Sequence, residues 1–324
     1  MLVGLYRSNQ PAVLLTLLVL VPGLFLGDLA GPVVAPGGSM VLFEQLLVAL
    51  GPKAWVHGLF AIGLMLLMAV QLTGLVNSAD LADRRNHLPA FLFPVLLALF
   101  VRSALLDPAL VGMPLVIWAM RRAWSMTNNG PALSPLFDAG FLLGLAALFY
   151  LPYAFLVVVL WASISVIRPF QLREYIVPVL GLAVVLYLTW GVLHLNGATP
   201  WRPLLTIAEQ GVSIPLSPRS GLFRGLLYVV LVPVLLVALL DFAVSYQRGV
   251  MQVKNLRSSF LAWGAALTVI MLGVYLLNKA FPPVLLAVPL AVLCVHAFMG
   301  EKRKALRGAA AWGLLVMALW AQWG

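Results

Sequence analysis

The chain has 324 residues, of which 63% are hydrophobic and only 9% charged, with a formal net charge of +10. Soluble domains run at about 25% charged, so this balance, with a mean hydropathy of +1.05, excludes an ordinary soluble enzyme and points to a bilayer. It excludes a nucleic-acid binder too, because the positive charges are scattered among short loops with no basic face or soluble domain to gather them.

The apolar runs are continuous. "AVLLTLLVLVPGLFLG", residues 12–27, shows no polar–apolar alternation, which argues against a transmembrane barrel and leaves helices, whose backbone groups are paired internally. Eleven spans are expected, at about 11–27, 55–75, 89–105, 108–120, 136–149, 152–167, 175–195, 223–242, 259–277, 282–298 and 308–322. The first follows Arg7 as a signal peptide would, but Pro11 and Pro22 lie within it and it is long enough to span, so it reads as a retained helix. The fold class is therefore all-α, a polytopic helical bundle. Two modules are expected, residues 1–170 and 171–324.

Between the first and second spans, "DLAGPVVAPGG" is too rich in Pro and Gly for helix, whereas "SMVLFEQLLVAL" reads as a helix lying in the membrane interface, with Ser39 as its N-cap and Glu44 and Gln45 its only polar break. In "DAGFLLGLAAL", Gly140 and Gly144 form a G-x-x-x-G pair, a signal for close helix packing. The single cysteine, Cys294, lies in an apolar run and can form no internal disulfide.

Orientation follows from Lys and Arg. With the N-terminus in the cytoplasm, the inner segments hold Arg7, Arg84, Arg85, Arg121, Arg122, Arg168, Arg173, Arg248, Lys254, Arg257, Lys302, Arg303, Lys304 and Arg307. The outer segments keep Lys53, Arg102, Arg202, Arg219, Arg224 and Lys279. That asymmetry supports this orientation; the expected location is the inner membrane.

Ten acids remain. Asp80, Asp83 and Glu301 read as solvated loop residues among arginines. Glu174 and Asp138 sit near helix starts, where a negative charge suits the dipole. Asp241 is placed to pair with Arg248. Asp28 and Asp107 differ, because both follow strongly apolar runs at the outer ends of spans, where a carboxylate needs a partner or a purpose. Asp107 precedes Pro108 and suits an N-cap. Carboxylates on one membrane face can also take a proton or hold a divalent metal, and arginines there can clamp a phosphate. His57, near the outer end of the second span, reads as a packing residue or a further member of that site.

The order of these features resembles the membrane core of GT-C glycosyltransferases, which use polyprenyl-phosphate sugars. The matching pieces are Asp28 ahead of the interfacial "SMVLFEQLLVAL", the basic turn "LADRRNHLPAFLFPVLLALF", the second outer acid in "LLDPAL", the basic helix end "VIWAMRRA", and "DAGFLLGLAALFYLPYAFLVVVLW". The likeness covers roughly residues 5–170. It implies Asp28 as catalytic base, Asp107 as catalytic or metal-holding acid, and Arg102, Arg202 and Arg219 as phosphate ligands, with Glu44 and His57 bordering the substrate. The loop "GDLAGP" carries one acid where GT-C enzymes often have two, and no large soluble C-terminal domain follows.

"RSNQP" and "FDAGFLLGLAALFYLP" are also similar to stretches in an uncharacterised multi-pass family of Bacteroidota. A four-histidine iron centre of the carotene-oxygenase kind is excluded, because His57, His87, His194 and His296 fall on both sides of the predicted bundle. Three functions stay open. One is a transferase using a polyprenyl-phosphate-linked sugar. The second is a non-catalytic scaffold or subunit of an envelope assembly with a membrane-protein partner. The third is a transporter, the weakest because no span carries a charge near its middle.

Overall fold

The computed structural model describes residues 2–8, 10–26, 40–100, 106–126, 132–195, 221–278, 281–300 and 304–323. Among them every regular element is a helix. The described part of each of the eleven apolar runs is largely helical, and several boundaries move outward by a few residues where polar ends extend a helix beyond its apolar stretch.

The helices are α1 (Leu2–Arg7), a 3-10 turn (Pro11–Thr16) leading into α2 (Leu17–Phe25), α3 (Val41–Leu50), α4 (Ala54–Ser78), α5 (Leu88–Phe100), α6 (Pro108–Trp124) and α7 (Leu133–Phe149). A second 3-10 turn (Leu151–Leu156) runs into α8 (Val157–Ile167). Then come α9 (Leu172–Leu195), α10 (Gly221–Arg248), α11 (Met251–Asn278), α12 (Val284–Met299) and α13 (Lys304–Trp323).

Four of these, α4, α9, most of α10 and α11, are long and apolar enough to cross a membrane. Others are shorter apolar helices, among them α5, α7 and α12. The interior explains them. In α5 every residue from Leu88 to Leu99 is buried, and α12 is nearly as enclosed. A helix that is apolar all round is a core helix, and these two pack on each other at the centre. Helices α9, α10 and α11 instead turn apolar faces outward, with Leu188, Val229, Leu240 and Leu276 all exposed. That inside-out surface is what lipid contact requires.

The two expected modules pack on one another through α7–α9, α8–α11 and α5–α12 contacts. The α7–α9 contact rests on glycine. A Cβ on Gly140 would collide with the Pro178 carbonyl oxygen, one on Gly144 would come within 2.9 Å of Val185 Cβ, and one on Gly181 within 2.5 Å of the Phe137 carbonyl oxygen. The G-x-x-x-G pair thus brings two backbones together, as its spacing predicts.

Helix α3 begins one residue later than expected. Met40 occupies the N-cap with no side-chain cap bond, and Ser39 lies outside the described residues. Phe43 and Leu47 are buried, and α3 packs on α7. Gly51 closes α3 at φ 73, its N–H donating to the Leu47 and Val48 carbonyls, a left-handed stop that suits glycine.

Candidate functional site

Polar contacts join segments that the charge pattern assigns to one face. The buried Arg257 at the start of α11 donates to the Leu81 carbonyl at 3.2 Å, to the Ser245 carbonyl at 2.5 Å and to Asp83 Oδ1 at 3.0 Å. Ser245 Oγ donates to the same Asp83 oxygen. His296, late in α12, also reaches the Leu81 carbonyl. Arg307 pairs with Asp241 at 2.9 Å, Arg122 with Asp138 at 2.8 Å and Arg168 with Glu174 at 3.1 Å. The backbone N–H of His87 donates to the Tyr6 carbonyl. All these groups belong to segments predicted to lie inside, and the fold gathers them at one end of the bundle.

Two expectations are corrected there. Asp241 pairs with Arg307 rather than with Arg248, because α13 passes beside the end of α10. Asp83 is no free loop acid, since its carboxylate tethers a guanidinium buried in the protein. Partial burial pushes the Asp83 carboxyl upward, but hydrogen bonds from Ser245 and Arg257 and the Arg257 charge outweigh it and leave the pKa below the ordinary value.

Asp107 sits at the opposite end of α6, in the connection after α5. Its side chain caps α6 by accepting from the Ala109 N–H at 3.3 Å, as the Asp-Pro sequence predicts. One oxygen does this; the other, Oδ2, is buried and has no hydrogen-bond partner among the described residues. Burial pushes the Asp107 pKa up to about 7, against the opposing pull of the Ala109 bond. A capping residue normally keeps its carboxylate in water, so the enclosure of this one is unusual.

Two tyrosines lie near it. The Tyr153 hydroxyl donates to the Ala109 carbonyl at 2.6 Å. Tyr150 packs edge-on against Tyr153, with ring centroids 5.0 Å apart, and its own hydroxyl is buried without a partner among the described residues. Asp107 lies within electrostatic reach of both. Gly112 makes room: a Cβ there would sit 2.8 Å from the Tyr153 ring. These tyrosines were missed at the sequence level, although "FYLPY" places two hydroxyls in an otherwise apolar stretch.

His57 is buried near the start of α4, where Nε2 donates to the Gly51 carbonyl at 2.8 Å and Nδ1 has no partner among the described residues. Gly74 of α4 lies against Arg121 of α6. Counting back along both helices puts His57 about one turn beyond the level of Asp107. Glu44 is half-buried on α3. Asp28, Arg102, Arg202 and Arg219 lie outside the described residues.

A divalent cation takes about six or more oxygen ligands, mostly from carboxylates and carbonyls. Among the described residues no three His, Cys, Asp or Glu side chains stand together to hold an ion. Around Asp107 the described residues offer one further carboxylate oxygen and a tyrosine hydroxyl, a donor set able to hold a proton, while Asp28, the other expected ligand, lies outside them.

The fold and this site define a multi-pass α-helical membrane protein with an enclosed carboxylic acid at one end of its bundle and a basic, ion-paired opposite end. The chain belongs to the family of unknown function DUF6427, whose model matches residues 41–322. No curated protein and no solved structure matches it.

Proposed function

We propose that the chain is a glycosyltransferase that uses a polyprenyl-phosphate-linked sugar at the outer face of the inner membrane. In this reading all eleven apolar helices cross or enter the bilayer with the N-terminus in the cytoplasm, the N-terminal half is GT-C-like, and α3 lies in the interface. The observation that carries it is Asp107, whose carboxyl is buried, half-engaged and poised near pH 7. A general acid–base group works best with a pKa near the working pH.

The reaction breaks the bond between the sugar's anomeric carbon and the lipid phosphate and forms one to the acceptor hydroxyl. Asp28 takes the hydroxyl proton, and the departing lipid phosphate is held by Arg102, Arg202 and Arg219. Asp107 orients the site and takes up or returns a proton there, with Tyr150 and Tyr153 nearby and Glu44 and His57 at its border.

One observation favours a second reading, a non-catalytic scaffold or envelope subunit. Asp83, Asp138, Glu174 and Asp241 are each committed to an ion pair at a helix end, so most described acids hold the bundle together. Incubating purified protein with radiolabelled polyprenyl-phosphate sugars and measuring release of polyprenyl phosphate separates the two. Release that depends on Asp28 and Asp107 supports the transferase. No release, with full complementation of a deletion strain by both Asn variants, leaves the scaffold.

A further inference from the structure

The basic end of the bundle carries a cleft of about 420 Å³, within the size range of small-ligand sites. It lies between the α4–α5 loop and the α10–α11 turn, lined chiefly by Asp83, Arg84, Arg85, Arg248 and Arg257. It lies at the opposite end from Asp107 and does not depend on the transferase reading.

We infer that this cleft binds the headgroup of an anionic phospholipid, with Arg85 and Arg248 gripping its phosphate. The floor is fixed, because Arg257 spends its guanidinium on Leu81, Ser245 and Asp83 and so neutralises the one acid anchored there. The rim is open. Arg85 and Arg248 are exposed, and among the described residues neither makes a hydrogen bond or ion pair. Two guanidinium forks lining one cleft can match the oxygens of a phosphate diester. Asp80 is the remaining acid in the lining, leaving the cleft net positive.

The surroundings select a lipid over a soluble phosphate. The turn that forms one wall continues into Val250 and Met251, which are 69% and 75% exposed. At the same end Phe170 is 74% exposed. Large apolar side chains beside a basic pocket at helix ends belong in the headgroup layer, where basic pockets between membrane helices take acidic headgroups.

The test uses the full-length protein purified in detergent. Native mass spectrometry reads retained lipid after exposure to phosphatidylglycerol or phosphatidylcholine of equal chain length, with glycerol phosphate and inorganic phosphate as soluble competitors. We expect about tenfold preferential retention of phosphatidylglycerol. The preference is lost in Arg85→Gln/Arg248→Gln and kept in Lys53→Gln, which alters the other end of the bundle. Met251→Glu, which leaves the cleft intact, weakens retention. Unfolding midpoints without lipid stay unchanged, because the altered side chains are exposed. Equal retention of both lipids, a preference that survives the double substitution, or competition by glycerol phosphate as strong as by the lipid would each overturn the assignment.

Discussion

Arg257 Nη2 lies 3.0 Å from Asp83 Oδ1, with the guanidinium buried and the carboxylate largely at the surface. This contact ties the start of α11 to the α4–α5 loop. The acid is reached by water, so the pair alone contributes about 1 kcal/mol or less, and Asp83→Asn should cost little near neutral pH. Arg257→Ala is a different change. It removes the bonds to the Leu81 and Ser245 carbonyls as well as the ion pair, and should destabilise by about 2–4 kcal/mol. Thermal unfolding in detergent checks both. The Asp83 pKa is depressed in the folded protein, so its contribution is present above the ordinary carboxylate pKa and fades as the pH falls through the folded value. Asp83→Asn should remove that acid-side loss.

Glycine substitutions in α7 and α9 give a sharper contrast. Gly140→Ala and Gly181→Ala drive a methyl into the facing backbone, and each should cost at least about 1–3 kcal/mol. Gly191→Ala, on the open side of α9 with nothing within 4 Å, should be neutral or slightly stabilising. Comparable losses at Gly191 and Gly140 would contradict the α7–α9 packing.

Tyr153→Phe removes the hydrogen bond to the Ala109 carbonyl and should cost about 1 kcal/mol. Gly112→Ala displaces the same ring and should cost more. Neither substitution removes the Asp107 cap. A fall in activity beyond the fall in folded protein would therefore mark the tyrosine wall as part of the site.

Orientation can be read by labelling. If the charge asymmetry sets topology, thiols introduced by Ala35→Cys and Ala208→Cys should react with an impermeant reagent from outside. Those from Gln247→Cys and Arg303→Cys should not. Labelling at residue 247 from outside would invert the assignment and move the basic cleft to the outer face.

The helices were legible because apolar runs bounded by Pro, Gly and basic residues leave few alternatives in lipid. The G-x-x-x-G contact and the Asp107 cap were legible because each depends on local spacing. The partners of Asp241 and Asp83 were not, since both come from helices distant in sequence and nothing local encodes which ends meet. The surroundings of Asp107 were hidden for the same reason: Tyr150 and Tyr153 come near it from another helix hairpin, with the Tyr153 ring packed where Gly112 leaves room. Asp28, Arg102, Arg202 and Arg219, on which the phosphate site depends, lie outside the described residues.

Burial holds the Asp107 pKa near 7 in the folded protein, so the folded state keeps a proton that the unfolded chain gives up near pH 4. Stability from this group is full below about pH 4 and is lost progressively up to about pH 7. Asp107→Asn cannot ionise and caps about as well. The variant should match the wild type near pH 4 and exceed it by a few kcal/mol at pH 8. Unfolding midpoints across pH 4–8 would show whether the slope disappears.

The most direct measurement of the central claim is sugar transfer by Asp107→Asn, followed beside its thermal stability at the same pH. If Asp107 serves the chemistry, release of polyprenyl phosphate should fall by about 100-fold or more while the folded protein is as stable as the wild type or more so. If Asp107→Asn transfers sugar at the wild-type rate, Asp107 is a helix cap alone and the transferase account loses the observation that carries it.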